Sequence, residues 1–81
     1  MKVRYGDAVA EALSKAPATV QKAFFKQVKF LEQNLHHPSL RAKKYDQATD
    51  RWQGRVNKDW RFYFKIEGDT YFIVDVIPHP K

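Results

Sequence analysis

The hydrophobic pattern of this chain changes period once, near residue 40, and that change limits it to a fold of two parts. Before it, Val20, Ala23, Phe24, Val28, Leu31 and Leu35 recur at helical spacing, with Lys22, Lys26 and Lys29 outside the stripe. After it, apolar and polar residues alternate, as in strands with one covered face. Helices followed by strands make an α+β chain with the helices gathered on one side of the sheet. The expected architecture is an N-terminal helical hairpin packed on a small, mainly antiparallel, twisted sheet. At 81 residues there is material for one core, so residues 1–81 are read as a single domain.

Local signals set the expected boundaries. Met1 to Tyr5 reads as a short edge strand before Gly6, and Asp7 as the N-cap of a first helix carrying Ala8, Val9, Ala12 and Leu13. Pro17 closes that helix and opens the second, which runs to about Leu35. So short a turn predicts a helical hairpin. Strands are expected over Leu40–Tyr45, Trp52–Val56, Trp60–Ile66 and Thr70–Ile77. Asn57-Lys58-Asp59 and Glu67-Gly68-Asp69 read as three-residue hairpin loops. His36-His37-Pro38-Ser39 breaks the pattern; adjacent loop histidines point apart and no third ligand lies at a recognisable spacing, so no metal is expected.

The formal net charge of +6 is unevenly spread: +3 over residues 1–39, +5 over 40–65 and −2 over 66–81. The excess sits on the strands. Such a stripe either attracts phosphates or simply keeps the surface soluble. There is no cysteine, which rules out disulfides and thiolate metal sites and fits a reducing compartment. No apolar run has the length of a membrane span or the form of a signal peptide, and a cytoplasmic location without a membrane partner is expected.

Alternation on the strands assigns Trp52, Val56, Trp60, Phe62, Phe64 and Ile66 to the core face, with both tryptophans as core anchors. Gln53, Arg55, Arg61, Tyr63 and Lys65 take the other face. If the first loop closes on Val56 and Trp60, Arg55 stands opposite Arg61, a like-charge pair that an intervening anion or carboxylate would relieve. Closing the second hairpin on Ile66 and Thr70 would bring Asp75 opposite Arg61. Two readings then stay open. One is an Arg55–Arg61–Asp75 cluster that only orders the sheet; the other is a phosphate clamp built on the guanidinium fork. Arg41 and Lys43 are expected on one side of the preceding strand, and only one of Lys43 and Lys44 can join the basic face. Tyr63 is the aromatic best placed to stack on a base. His79, in parity with Asp75 and Ile77, would project to the Arg61 side.

The sequence contains no glycine-rich phosphate loop, HExxH or nucleophile elbow. The order of its pieces is more informative. A short strand and a helical hairpin with proline at its turn precede His37-Pro38-Ser39-Leu40-Arg41-Ala42-Lys43-Lys44. Arg51-Trp52-Gln53-Gly54-Arg55-Val56-Asn57-Lys58-Asp59-Trp60-Arg61-Phe62 follows, and the chain closes through Glu67-Gly68-Asp69-Thr70 on Asp75-Val76-Ile77-Pro78-His79. Over essentially its whole length this resembles the RelE/ParE superfamily of toxins from type II toxin–antitoxin systems, in its RelE-like branch.

The resemblance implies a metal-independent, cofactor-free endoribonuclease that cuts mRNA, usually in the ribosomal A site, inhibits translation, and is restrained by a cognate antitoxin. It implies that Arg61 steadies the reacting phosphate, that Arg55 assists from the neighbouring strand, and that His79 carries protons. Arg41, Lys43, Lys44, Gln53, Tyr63, Lys65 and Lys81 complete the expected RNA-binding set. Many family members place an Arg, Asp or Tyr beyond the last strand. Here neither an acidic residue nor a tyrosine follows His79, and the first helix is short for the family. The resemblance therefore also admits a non-enzymatic ParE-like inhibitor of DNA gyrase, or a degenerate member that only binds RNA or an antitoxin. Expected partners are the antitoxin and mRNA or the ribosome; formation of a homodimer is left open.

Overall fold

The computed structural model describes residues 1–79. Strand β1 (Lys2–Tyr5) leads into helix α1 (Asp7–Lys15) and helix α2 (Ala18–Gln33). A single 3₁₀ turn, Pro38–Leu40, precedes β2 (Lys43–Asp46), β3 (Arg51–Arg55), β4 (Trp60–Glu67) and β5 (Thr70–Pro78). The five strands lie in the order β1-β5-β4-β3-β2. All neighbours are antiparallel except β1, which runs parallel to β5 at one edge. This is the α+β arrangement expected from the change of period. No helix among the described residues is long and apolar enough to cross a membrane.

The helices cover one face of the sheet. Val9 of α1 and Val20, Phe24, Val28 and Leu31 of α2 bury their stripes against Phe62, Phe64, Tyr71, Ile73 and Val76. Trp52 and Trp60 pack against this core from its margin, as expected for anchors. At the helix starts the details differ from the sequence reading. Gly6, not Asp7, is the N-cap of α1, and Asp7 lies in the first turn, where its charge still complements the helix dipole. Pro17 caps α2, its fixed φ of −57° matching the entry to a helix.

The expected strand over Leu40–Tyr45 begins three residues late. Leu40 is drawn into the core at 0% exposure by the 3₁₀ turn, and Arg41 follows in the left-handed region at φ 46°. The turn is held at its start by His37, whose Nδ1 accepts the Ser39 N–H at 3.2 Å while its ring stacks on Phe30 at 3.9 Å.

The first hairpin closes as predicted. Val56 donates to the Trp60 carbonyl at 3.1 Å, and Arg55 stands opposite Arg61. Asn57 shapes the turn: its Oδ1 accepts from the Asp59 and Trp60 N–H groups at 2.8 and 2.9 Å. One pair further along, Gly54 stands opposite Phe62. A methyl group added at Gly54 would lie 2.4 Å from the Phe62 ring, so any side chain here must displace that buried ring.

The second hairpin departs from prediction twice. It closes on Glu67 and Thr70 with only Gly68 and Asp69 between them; Gly68 has φ 59° and Asp69 has no positive φ, the pattern of a type II′ turn. A bulge then adds one residue to β5 at Val74, between the Phe64–Ile73 and Tyr63–Asp75 pairs. The bulge lets Tyr71, Ile73 and Val76 all enter the core despite their uneven spacing. Asp75 consequently faces Tyr63, and Arg61 faces Ile77. The expected Arg61–Asp75 pairing is not formed.

Two stability effects follow from this packing. Gly54→Ala should cost about 1–3 kcal/mol in urea unfolding through overpacking, and the added substitution Phe62→Leu should recover part of that loss. Burial pushes the Tyr71 phenol above its ordinary value of 10.0, and burial followed by the Tyr45 charge does the same to Tyr63. Above pH of about 10 the unfolded chain releases protons that the native state retains, so stability falls as pH rises. Urea midpoints should hold up to that point and decline beyond it, less steeply in Tyr63→Phe.

Candidate polyanion-binding site

The face of the sheet turned away from the helices carries a hollow of about 250 Å³ at the turn end of the β3–β4 hairpin. Gln53, Gly54 and Arg55 of β3 and Arg61 of β4 line it from the sheet. Lys43, paired with Gln53 across the β2–β3 ladder, approaches from one side, as does Arg41 from the end of the 3₁₀ turn. His79 closes the other side. Its backbone N–H donates to the Asp59 carbonyl at 2.7 Å, which carries the β5 edge past Pro78 and brings the imidazole to the hollow.

Arg61 is the fixed element. Its Nη1 donates to the carbonyls of Asn57 at 2.6 Å and Trp60 at 2.9 Å, so the turn that sets the strand register also aims the guanidinium. Burial, then repulsion by Arg55 and Arg41, holds its pKa below the usual arginine value. The opposing influences of Tyr63 and Asp59 are weaker. The group stays protonated at any physiological pH. Among the described residues the ion pairs are Lys15–Glu11 and Lys44–Asp50, and neither touches these arginines. No carboxylate lines the hollow among those residues. Three guanidinium groups thus converge on a space where an anion would satisfy all of them.

Of the residues singled out from the sequence, Arg41, Lys43, Gln53, Arg55, Arg61 and His79 meet here. Lys44 does not. It pairs with Trp52 across the ladder, on the helix side, where its Nζ lies 2.6 Å from Asp50 and 5.9 Å from the Trp52 ring centre. Tyr63 is on the expected face but only 7% exposed, with Tyr45 packed edge-on against it at 5.0 Å. The aromatic surface open to a base there is Tyr45, 58% exposed. Lys65 faces Phe72 toward the far end of the sheet, outside the hollow. Lys81 lies outside the described residues.

Sequence reasoning missed Gln27. Its side chain is 4% exposed, and its Nε2 donates to the carbonyls of Ser39 at 2.9 Å and Arg55 at 2.7 Å. Its Oε1 accepts from Ser39 Oγ at 2.9 Å. One buried amide therefore ties α2 to the 3₁₀ turn and to the end of β3, placing Arg41 beside Arg55. The signal was present: Gln27 is a polar residue between Phe24 and Leu31, within the apolar stripe of α2.

No protein-family model matches this sequence, and no curated protein matches it. Solved structures do. The chain superposes on a YoeB/ParE toxin from Agrobacterium tumefaciens with a TM-score of 0.81 at 10% identity, covering 99% of this chain and 100% of that one. A structure of the archaeal RelE–RelB complex from Pyrococcus horikoshii gives a TM-score of 0.79 at 18% identity, covering 95% and 92%. The YoeB dimer from Staphylococcus aureus gives 0.80 at 13% identity, covering 99% and 98%. The chain has the fold of the RelE/ParE toxins, across nearly their full length.

The uncompensated arginines should be measurable in stability. Arg55→Gln removes a like charge opposite Arg61 and should stabilise the protein by about 0.2–1 kcal/mol at low salt. The gain should fade as salt screens the charges. Inorganic phosphate should raise the melting temperature of the wild type more than that of the variant.

Proposed function

We propose that this protein is the toxin of a type II toxin–antitoxin pair, acting as a metal-independent endoribonuclease on mRNA at the ribosome. The observation that carries this reading is the convergence of Arg41, Arg55 and Arg61, with no carboxylate among the described residues lining the hollow, on the open face of a RelE-like sheet. An RNA phosphate seated in the hollow neutralises that charge. Attack by the adjacent 2′-oxygen forms the 2′-O–P bond and breaks the P–O5′ bond, leaving a 2′,3′-cyclic phosphate and a 5′-hydroxyl. Negative charge gathers on the non-bridging oxygens during this step, where fixed guanidinium groups stabilise it most.

His79 is the one imidazole lining the hollow, and imidazole is the side chain suited to exchanging protons near neutral pH. It takes the 2′-hydroxyl proton or returns one to the departing 5′-oxygen. The toxin is restrained by a cognate antitoxin whose acidic or amphipathic segments complement the basic face. This reading is supported by solved toxin–antitoxin complexes of similar fold, RelB–RelE from Methanococcus jannaschii and YoeB–YefM from Staphylococcus aureus. Action at the ribosome places the protein in the cytoplasm.

Single-turnover cleavage of mRNA on programmed ribosomes, with end-group analysis, tests the reading. Fragments ending in 2′,3′-cyclic phosphate are expected. Arg61→Lys keeps the charge but loses the fork and should slow cleavage by about 10²- to 10³-fold. His79→Ala should slow it by about 10²-fold or more if the imidazole transfers a proton. Intact mRNA from wild-type protein that still arrests growth would overturn the nuclease reading in favour of a gyrase inhibitor.

A further inference from the structure

A second hollow, of about 450 Å³, lies beside the first on the side of α2. Arg41 and Arg55 line both, so the two guanidinium groups form a ridge with open space on either flank. Lys26, Ser39 and Asn57 complete the polar rim of the second space, and no carboxylate lines it among the described residues. The ridge is rigidly founded. Gln27, buried beneath it, holds the Ser39 and Arg55 carbonyls on a single amide. Lys26 is exposed and shares the outer face of α2 with Lys22 and Lys29, at spacings of four and three residues. The Nδ2 of Asn57 has no hydrogen-bond partner among the described residues, because the turn uses only its Oδ1 and backbone.

We propose that this second hollow holds the neighbouring phosphate–ribose unit of the same RNA strand, so that the path of the strand leaves the sheet and continues along α2. The inference rests on the RNA-binding reading of the first hollow and extends it. Continuity through two shared guanidinium groups is what a chain of phosphates requires, since each arginine can bridge adjacent phosphates. Donors dominate the rim: a lysine, two arginines and a free amide, with Ser39 Oγ left able to accept from a ribose hydroxyl. The alternative occupant, an acidic protein segment, would be expected to seat apolar side chains as well. The second hollow offers such side chains only the small surfaces of Ala23, Pro38 and Val56, whereas a more apolar groove lies between α1 and α2, around Leu13 and Phe25.

Fluorescence anisotropy with 2′-fluoro oligonucleotides of increasing length, which cannot be cleaved through the 2′ position, tests this. Wild-type affinity should rise as the strand becomes long enough to cross the ridge. Lys26→Gln should bind the shortest oligonucleotides as the wild type does, lose the length-dependent gain, and lower the salt slope for long ones by about 0.7. Lys26→Glu should lose more, whereas Lys2→Gln, outside both hollows, should follow the wild type. If both Lys26 variants bind every length with an unchanged slope, the second hollow is off the path and the proposal falls while the first site stands. Failure of the wild type to bind any oligonucleotide at low salt overturns both. If polyglutamate binding responds to Lys26 while oligonucleotide binding does not, the hollow is a protein-docking face, and the proposal falls.

Discussion

The ring of Phe62 lying on the bare backbone of Gly54 is the contact on which the geometry of the open face depends. It lets a large aromatic ring reach Phe24 and Phe64 in the core while its strand stays within hydrogen-bonding distance of β3. Once that pair is fixed, the pleat places Arg55 opposite Arg61 on the reverse face. A slip of either strand by one residue would turn its arginine into the core, where burying it unpaired would be prohibitive. Core packing thus enforces a juxtaposition that electrostatics alone would oppose.

The opposition is partly met by where the arginine hydrogens go. Arg61 donates to backbone carbonyls of its own turn, which carry partial negative charge but cannot cancel a cation. The guanidinium is thereby oriented without being neutralised by any carboxylate among the described residues. A carboxylate in the same place would have stabilised the free protein and occupied the site. The tight Gly68–Asp69 turn and the bulge at Val74 together prevent this, since they set Asp75 opposite Tyr63 and Ile77 opposite Arg61. The free protein keeps its strain, and a bound anion would relieve it.

Much of this was legible in the sequence because it follows from local pattern. The change of period gave the layers, and the Asn57–Asp59 loop gave the Arg55–Arg61 pairing. What escaped arises where tertiary packing overrides pattern. Val74 and Ile77 are as apolar as Ile73 and Val76, so nothing local marks which of them leaves the core and where the bulge falls. Arg41 reads as extended within the Leu40–Tyr45 strand pattern; the left-handed turn accompanies the burial of Leu40 in the core. Tyr63 was assigned to the open face correctly, but the irregular pairing near Tyr45 that covers it is a property of the folded edge. Gln27 carried a readable signal, a polar residue in an apolar stripe, whose meaning depends on carbonyls distant in sequence.

The parallel pairing of β1 with β5 also orders events in time. Of the five described strands β1 is made first, yet its partner among them, β5, is made last. The hairpins β3–β4 and β4–β5 join near neighbours and close quickly, whereas the β1 edge must wait for the longest loop in the chain. Until then α1 lacks the strand on which it rests. The arginines that face each other across β3 and β4 are therefore brought together early in the life of the molecule, and the scaffold that makes their positions permanent is completed last.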